Sequence, residues 1–399
     1  MKSISAVFQT GLQKIMLQVI LTITIGLTSA AANVGDHDGP FIVFNPKTGR
    51  VLDAQRVRDQ WHPASLTKLM TAYVAFGALS EKHISMNSAV TISANALKVP
   101  PSKMGFRTGT KLTVGNALKM VVVKSANDIA VALGERIAGS ESSFVRMMNR
   151  EALRLGMVDT NFVNPHGLHH KDQVTSARDM ALLTHAIIRE YPQHAELFRT
   201  PAIRHGKRVL KSYNKLLRHF RGTDGMKTGF VCASGFNQVA SATRNNKRLV
   251  SIVLGAVTAT DRSEAAARLL TEGFSGKLSG NSTLGQWKID TSDSAAAVNM
   301  RPAVCRKNNR PRAKRASVGD GNDGSGNGVS SYLIARFKTM DAVRVHTGLG
   351  AAAGIISPVV TAVPRPKPEE MIIASNQAVE LIDLSPDLTP RDFGPRPKP

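Results

Sequence analysis

The sequence predicts an α/β chain of the α+β type: an antiparallel sheet of N- and C-terminal strands flanked by helices, followed by a mostly disordered tail. Three observations carry this. Strand-like apolar runs bracket a turn near residue 47, a second such pair surrounds residue 245, and the stretch between them is mostly helical in period. After about Ser279 the composition shifts to Gly, Pro and basic residues, which make linkers and not cores.

Taken in order, Phe41–Phe44 and Arg50–Leu52 flank Asn45-Pro46-Lys47-Thr48-Gly49, whose Pro and Gly mark a hairpin turn. Ser65 to Ala78 carries apolar residues at Leu66, Leu69, Met70, Tyr73, Val74 and Phe76, a helical pattern on a largely buried element. Apolar helices follow at Val114–Val123 and Ile129–Ile137, with Lys124-Ser125-Ala126-Asn127-Asp128 between them. Ser142–Leu155 reads as an amphipathic helix. Ser176-Ala177-Arg178-Asp179 opens another that stops at Tyr191-Pro192. Phe236–Ala242 and Leu249–Val257 form the second hairpin around Arg244-Asn245-Asn246-Lys247, and Arg262–Phe274 closes the unit as a helix.

The chain has 399 residues and a formal charge of +23. Residues 1–32 read as an export signal: Lys2 and Lys14 precede an apolar run from Ile15 to Leu27, and Ala30-Ala31-Ala32 suits cleavage, so the mature chain should begin near Asn33 in the periplasm. The charge fits anionic wall polymer or a membrane surface, and nucleic acid is excluded by compartment and by the lack of any recognised binding module. Cys232 and Cys305 are the only cysteines. Because Cys305 falls in the linker-like region, two free thiols are the expectation. The apolar islands Val359–Val363 and Met371–Ala374 could dock locally, without making a second domain.

Three motifs supply chemistry. Ser65-Leu66-Thr67-Lys68 places a hydroxyl and an amine on one helix face. The hydroxyl becomes a nucleophile only if a base takes its proton, and a lysine can do so only when neutral. A second ammonium ~4 Å away contributes roughly 4 kcal/mol at an effective dielectric of about 20, enough to bring an ordinary lysine near neutrality. Lys227 is the candidate second cation. The competing role for Ser65 is a helix N-cap, which is compatible with catalysis because a helix start also offers N–H groups to an oxyanion. Ser125-Ala126-Asn127 could relay a proton through Ser125 and fix Lys68 and a substrate amide through Asn127; its competing role is a cap for the helix starting at Asp128. Lys227-Thr228-Gly229 could grip a substrate carboxylate on a strand edge, with Gly229 leaving room for a peptide.

Each motif has a decoy. Lys47-Thr48-Gly49 is a hairpin turn, Ser93-Ala94-Asn95 lacks flanking apolar helices, and Ser212-Tyr213-Asn214-Lys215 sits in a basic, solvated region. The parts list needs no metal and no cofactor.

The ordered set resembles the serine penicillin-binding enzymes, and among them the low-molecular-mass D-alanyl-D-alanine carboxypeptidases. The similar stretches include Pro63 to Thr71, Lys124 to Asp128, Thr160-Asn161-Phe162-Val163-Asn164-Pro165-His166-Gly167-Leu168, Thr175 to Ala181, and Gly222 to Phe230. The likeness runs from about residue 36 to 274 and leaves residues 280–399 as the tail. It implies a transpeptidase-like domain, an acyl-enzyme on Ser65 with Lys68 as base, assistance by Ser125 and Asn127, and substrate binding by Lys227 and Thr228. It also implies an oxyanion hole from the backbone N–H groups of Ser65 and Phe230, and a terminal carboxylate held by Arg262, seven residues before Leu269-Leu270. The implied substrates are peptidoglycan stem peptides, with β-lactams as inhibitors. A D,D-endopeptidase cutting cross-links and a non-catalytic wall-binding protein are the rival readings. Where relatives often carry a β-rich domain and a membrane-binding helix, this chain has a basic, Gly/Pro-rich tail. Phe230 stands where relatives often have a polar residue.

Overall fold

The computed structural model describes residues 37–286, 296–305, 332–333, 336–337 and 339–349. The export segment and the islands at 359–363 and 371–374 lie outside them.

The N-terminal hairpin forms as read, with β1 (Phe41–Phe44) antiparallel to β2 (Val51–Gln55). Asn45 closes the turn, accepting from the Lys47 and Gly49 amides, so the first Lys-Thr-Gly is indeed a turn. Helix α1 (Thr67–Ser80) follows a single 3-10 turn at Ala64–Leu66. A small ladder of β3 (Ala89–Thr91) and β4 (Lys111–Thr113) encloses the short α2 (Ala94–Lys98). Ser93 caps α2 by accepting from the Ala96 amide, which gives the second Ser-x-Asn a purely structural task.

The helix predicted over Val114–Val123 splits. Its first part is α3 (Val114–Lys119), and Met120–Lys124 widens into a π-type turn that ends at Ser125 with φ of 62°. Next come α4 (Asn127–Ala138), α5 (Glu141–Arg154) and α6 (Ala177–Glu190). The short α7 (Ala195–Arg199), the hairpin β5 (Ala202–His205) with β6 (Arg208–Lys211), and the single-turn α8 (Leu216–His219) lead to the last strands. These are β7 (Thr223–Val231), β8 (Gly235–Arg244) and β9 (Lys247–Ala256), closed by α9 (Ala259–Ser275).

The sheet runs β2-β1-β9-β8-β7, antiparallel throughout. It is covered on both faces, which explains why β1 reads as an uninterrupted apolar run. Ile42 and Phe44 join the larger cluster with α1, α4 and α6, while Phe41 and Val43 join a smaller one with Leu269 and Leu270 of α9. The return of β9 beside β1 leaves β7 at the edge, facing the 3-10 turn.

Two expectations about the tail change. Cys232 and Cys305 form a disulfide with Cα atoms 5.8 Å apart, so the thiols are not free. The tail also touches the domain in pieces: α10 (Arg301–Val304) is tied by the Met300 amide to the Ala233 carbonyl, and β10 (Val343–Arg344) adds in parallel to β5. Composition gave no hint because these contacts are carried by backbone groups and one remote cysteine.

Candidate active site

Ser65, Lys68, Ser125, Asn127, Lys227, Thr228, Gly229, Phe230 and Arg262 converge from the 3-10 turn, α1, the end of the π-type turn, α4, β7 and α9. Ser65, Ser125, Asn127, Thr228, Gly229, Phe230 and Arg262 line one cleft of about 840 Å³. Lys68 and Lys227 lie buried beneath it.

Ser65 is inside the 3-10 turn and caps no helix; the residues before the turn and before α1 make no side-chain cap. Its Oγ is instead 3.1 Å from Lys68 Nζ. Lys68 is wholly buried in the first turn of α1, with Nζ donating to Asn127 Oδ1 at 2.7 Å and to the His166 carbonyl at 2.6 Å. Asn127 Nδ2 donates to the Pro100 carbonyl, which fixes the amide so that its oxygen faces the amine. Both of these partners are obligate acceptors. A neutral amine has two N–H bonds, and they are used here, so its lone pair is left for the Ser65 hydroxyl.

The surroundings favour that neutral form. The Lys68 amine is held well below its ordinary value, first by burial and second by the charge of Lys227, with Asp128 opposing. Of the two, loss of water is the larger cause and the Lys227 charge the smaller. Burial pushes the His166 imidazole down to about 3, so that side chain stays neutral at physiological pH.

Ser125 is reached from the other side. Lys227 Nζ donates to Ser125 Oγ at 2.9 Å and to the Thr228 carbonyl at 3.0 Å. Its amine is lowered to about 7 by burial and then by the Arg262 charge. Neither Ser125 nor Asn127 acts as a cap: α4 begins at Asn127, with Ala126 before it and no side-chain bond. The motif is sewn to the loop at 100–105 instead, because the Asn127 amide donates to the Ser102 carbonyl and Asp128 accepts from the Met104 and Gly105 amides. This frees both motif side chains to face the cleft.

Gly229 does more than leave room for a peptide. A Cβ there would lie 2.9 Å from the Pro63 carbonyl and 3.0 Å from the Ser65 amide. Only a glycine lets β7 come this close, and the approach sets the Gly229 backbone against the Ser65 turn. Asn237 of β8 fastens the same turn, donating to the His62 and Pro63 carbonyls. The exposed Phe230 ring stacks on Phe236 at 4.2 Å, and the Arg262 guanidinium lies 5.9 Å from the Phe236 ring.

Some functional positions escaped the motif reading. The His166 carbonyl is a backbone group, so no side-chain type announces it. Gly167 adopts φ of 84°, and a Cβ on it would overlap the Ala64 carbonyl. The signal was present in Asn164-Pro165-His166-Gly167, where Asn164 Oδ1 accepts from the Gly167 amide at 2.6 Å. The decoy Ser212 to Lys215 was also misplaced in part: Ser212 and Lys215 are partly exposed, yet they line this same cleft.

A serine hydroxyl beside a buried amine, a second serine beside a second lysine, and a glycine edge strand against the first serine thus meet at one cleft. A family model described as D-alanyl-D-alanine carboxypeptidase matches residues 28–258, more than half of the chain. The chain belongs to this family. It is 38% identical over 239 residues to D-alanyl-D-alanine carboxypeptidase DacA of Haemophilus influenzae, covering 59% of this chain and 61% of the relative. Among solved structures it is similar to penicillin binding protein 6B from Escherichia coli, with a TM-score of 0.58, 36% identity, and 60% and 77% of the two chains covered. Penicillin-Binding Protein D2 from Listeria monocytogenes in its ampicillin-bound form aligns with a TM-score of 0.53, 31% identity, and 59% and 96% coverage. The chain spans about three-fifths of the length of the curated relatives it matches. Arg262 lies just beyond the family match, so its part in the site rests on geometry.

Proposed function

We propose that this protein is a serine D-alanyl-D-alanine carboxypeptidase that removes the terminal D-Ala from peptidoglycan stem peptides. The observation that carries the reading is the fully buried Lys68 amine on Ser65 Oγ, with its two other partners restricted to acceptors. Ser65 Oγ attacks the carbonyl carbon of the scissile amide while its proton passes to Lys68. The carbonyl oxygen becomes an oxyanion against the backbone N–H groups of Ser65 and Phe230. Ser125, bonded to Lys227, gives its proton to the leaving amine and takes up the one Lys68 received from Ser65, so D-Ala departs with Lys68 neutral again. Water, deprotonated by Lys68, then hydrolyses the ester and restores Ser65. Lys227, Thr228 and Arg262 hold the terminal carboxylate.

A β-lactam presents the same carbonyl and a carboxylate, so Ser65 should be acylated by penicillins; the likeness to a protein solved with ampicillin supports this. The export-type segment supports a periplasmic site of action after cleavage near Ala32, checked by sequencing the N-terminus of the secreted protein. The net charge supports association with an anionic wall or membrane surface, which should weaken as salt is raised in sacculus co-sedimentation.

The direct test is release of D-Ala from a pentapeptide ending in D-Ala–D-Ala, with Ser65→Ala as control and intact mass after penicillin treatment as a second readout. Hydrolysis by the wild type and a penicilloyl adduct absent from Ser65→Ala are expected. A folded wild type that does neither contradicts the reading.

A further inference from the structure

The cleft holds more positive charge than one terminal carboxylate requires. Lys227, Thr228 and Arg262 already answer that group. Beyond them the same cleft is lined by Lys124, Lys211, Lys215, Arg218 and Arg336, and none of its described lining residues is Asp or Glu. Four of these cations come from the domain. The fifth, Arg336, comes from the tail.

The tail is fastened on both sides of this position. On one side the Cys232–Cys305 disulfide and the Met300 amide hold it to the β7–β8 turn. On the other, β10 pairs with β5, the Val345 amide donates to the Arg204 carbonyl, and Asn116 Nδ2 donates to the His346 carbonyl. Between them Tyr332 and Leu333 pack against the cluster containing Leu216 and Phe220, and the Phe337 amide donates to the Arg218 carbonyl at 3.2 Å. Arg336 is therefore set beside α8 by contacts at Leu333 and Phe337. Arg218 is anchored too, donating to the Pro201 and Ser212 carbonyls. Burial and then the Arg336 charge hold the Arg218 guanidinium below its ordinary value. Two like charges held together by the fold raise the local energy, and an anion bound between them lowers it.

We infer that the tail forms a wall of the substrate cleft, and that Arg336 with Arg218 recognises a second carboxylate on the peptide, separate from the terminal one that Arg262 receives. The substrate class is thus an acidic peptide carrying a side-chain carboxylate upstream of its D-Ala–D-Ala end. The wall shares the cleft with Ser65, so a peptide seated for acylation passes it. The inference rests on the carboxypeptidase reading for its activity readout.

The test uses two peptides of identical sequence ending in D-Ala–D-Ala, one with a free carboxylate on the residue preceding that pair and one with the carboxamide. For the full-length wild type, kcat/KM should favour the carboxylate by about fivefold, mostly through KM, and the preference should shrink as salt is raised. Arg336→Gln, at an exposed position that should not disturb folding, should bring the ratio close to one. A wild type that hydrolyses both peptides equally, or a ratio unchanged in Arg336→Gln, overturns the inference and leaves the carboxypeptidase reading intact. If neither peptide is cleaved, that reading fails by itself. Calorimetric binding of the two peptides to Ser65→Ala then decides the inference: tighter binding of the carboxylate form sustains it and equal binding overturns it.

Discussion

Two Ser-x-x-Lys tetrads reach the same cleft, and they differ in everything but spacing. Ser65 and Lys68 straddle the junction between a 3-10 turn and α1, with the lysine fully buried and gripped by Asn127 and the His166 carbonyl. Ser212 and Lys215 lie on the connection from β6 to α8, both partly exposed, with Ser212 Oγ accepting from the Asn214 amide. Lys68 is buried between two fixed acceptors while Ser65 opens on the cleft; both members of the second pair keep access to solvent. Spacing on the chain brings a hydroxyl and an amine together, but burial on a helix end is what lowers the amine toward the neutral form that the proposed reaction needs.

The comparison can be broken most severely at Lys68. Lys68→Arg keeps the charge and most of the length but cannot give up a proton, so acylation by penicillin should fall by about 10³-fold or more, with Ser65→Ala lower still. Retained acylation in Lys68→Arg would remove the amine from its role as base. Gly229→Val comes next: its side chain collides with the Ser65 turn, and a loss on the order of 10²-fold in kcat/KM is expected, in kcat more than KM.

Asn127→Asp sharpens the contrast. A carboxylate in place of the amide favours the ammonium form of Lys68, so the acid limb of the acylation profile should move upward by about one pH unit or more. The wild-type profile has a sign on each side. As pH falls, Lys68 takes up a proton and acylation drops; as pH rises past about 7, Lys227 loses its charge in the empty cleft and KM for a carboxylate substrate climbs. The smallest effect belongs to the second tetrad: Ser212→Ala should leave acylation by penicillin within about twofold of wild type. A large loss there would mean that the two tetrads are less different than their burial says.

The three candidate motifs were legible because each is local. A helix period places Lys68 over Ser65, and two apolar helices mark Ser125 to Asn127 as a connection held from both sides. The strand edge at Lys227 to Gly229 followed from the apolar pair after it. What could not be read depends on distant or backbone partners. The His166 carbonyl has no side-chain signature, and the widened turn at Met120–Lys124 interrupts a run whose composition is that of an ordinary helix. Ser65 and Asn127 read as caps because cap residues and catalytic residues share the same chemistry; only their partners in the fold separate the two roles. The pairing of Cys232 with Cys305, 73 residues on, joins a strand turn to a segment whose sequence reads as linker. The docking of β10 on β5 involves two residues and no recognisable pattern. The cause of the Lys68 shift was legible in kind and not in order, since burial outweighs the neighbouring lysine.

The proposed reaction requires Lys68 to be a neutral amine beside Ser65 when acylation occurs, and its burial lowers it in that direction. Titration of the Lys68 side chain by NMR in ¹³C-lysine-labelled protein, assigned by the signal missing from Lys68→Arg, measures this directly. The account predicts a midpoint well below the ordinary lysine value of about 10.4, with the neutral form dominant where the enzyme acylates fastest. A Lys68 signal that stays that of an ammonium up to pH about 10, in a protein still acylated by penicillin, would contradict it.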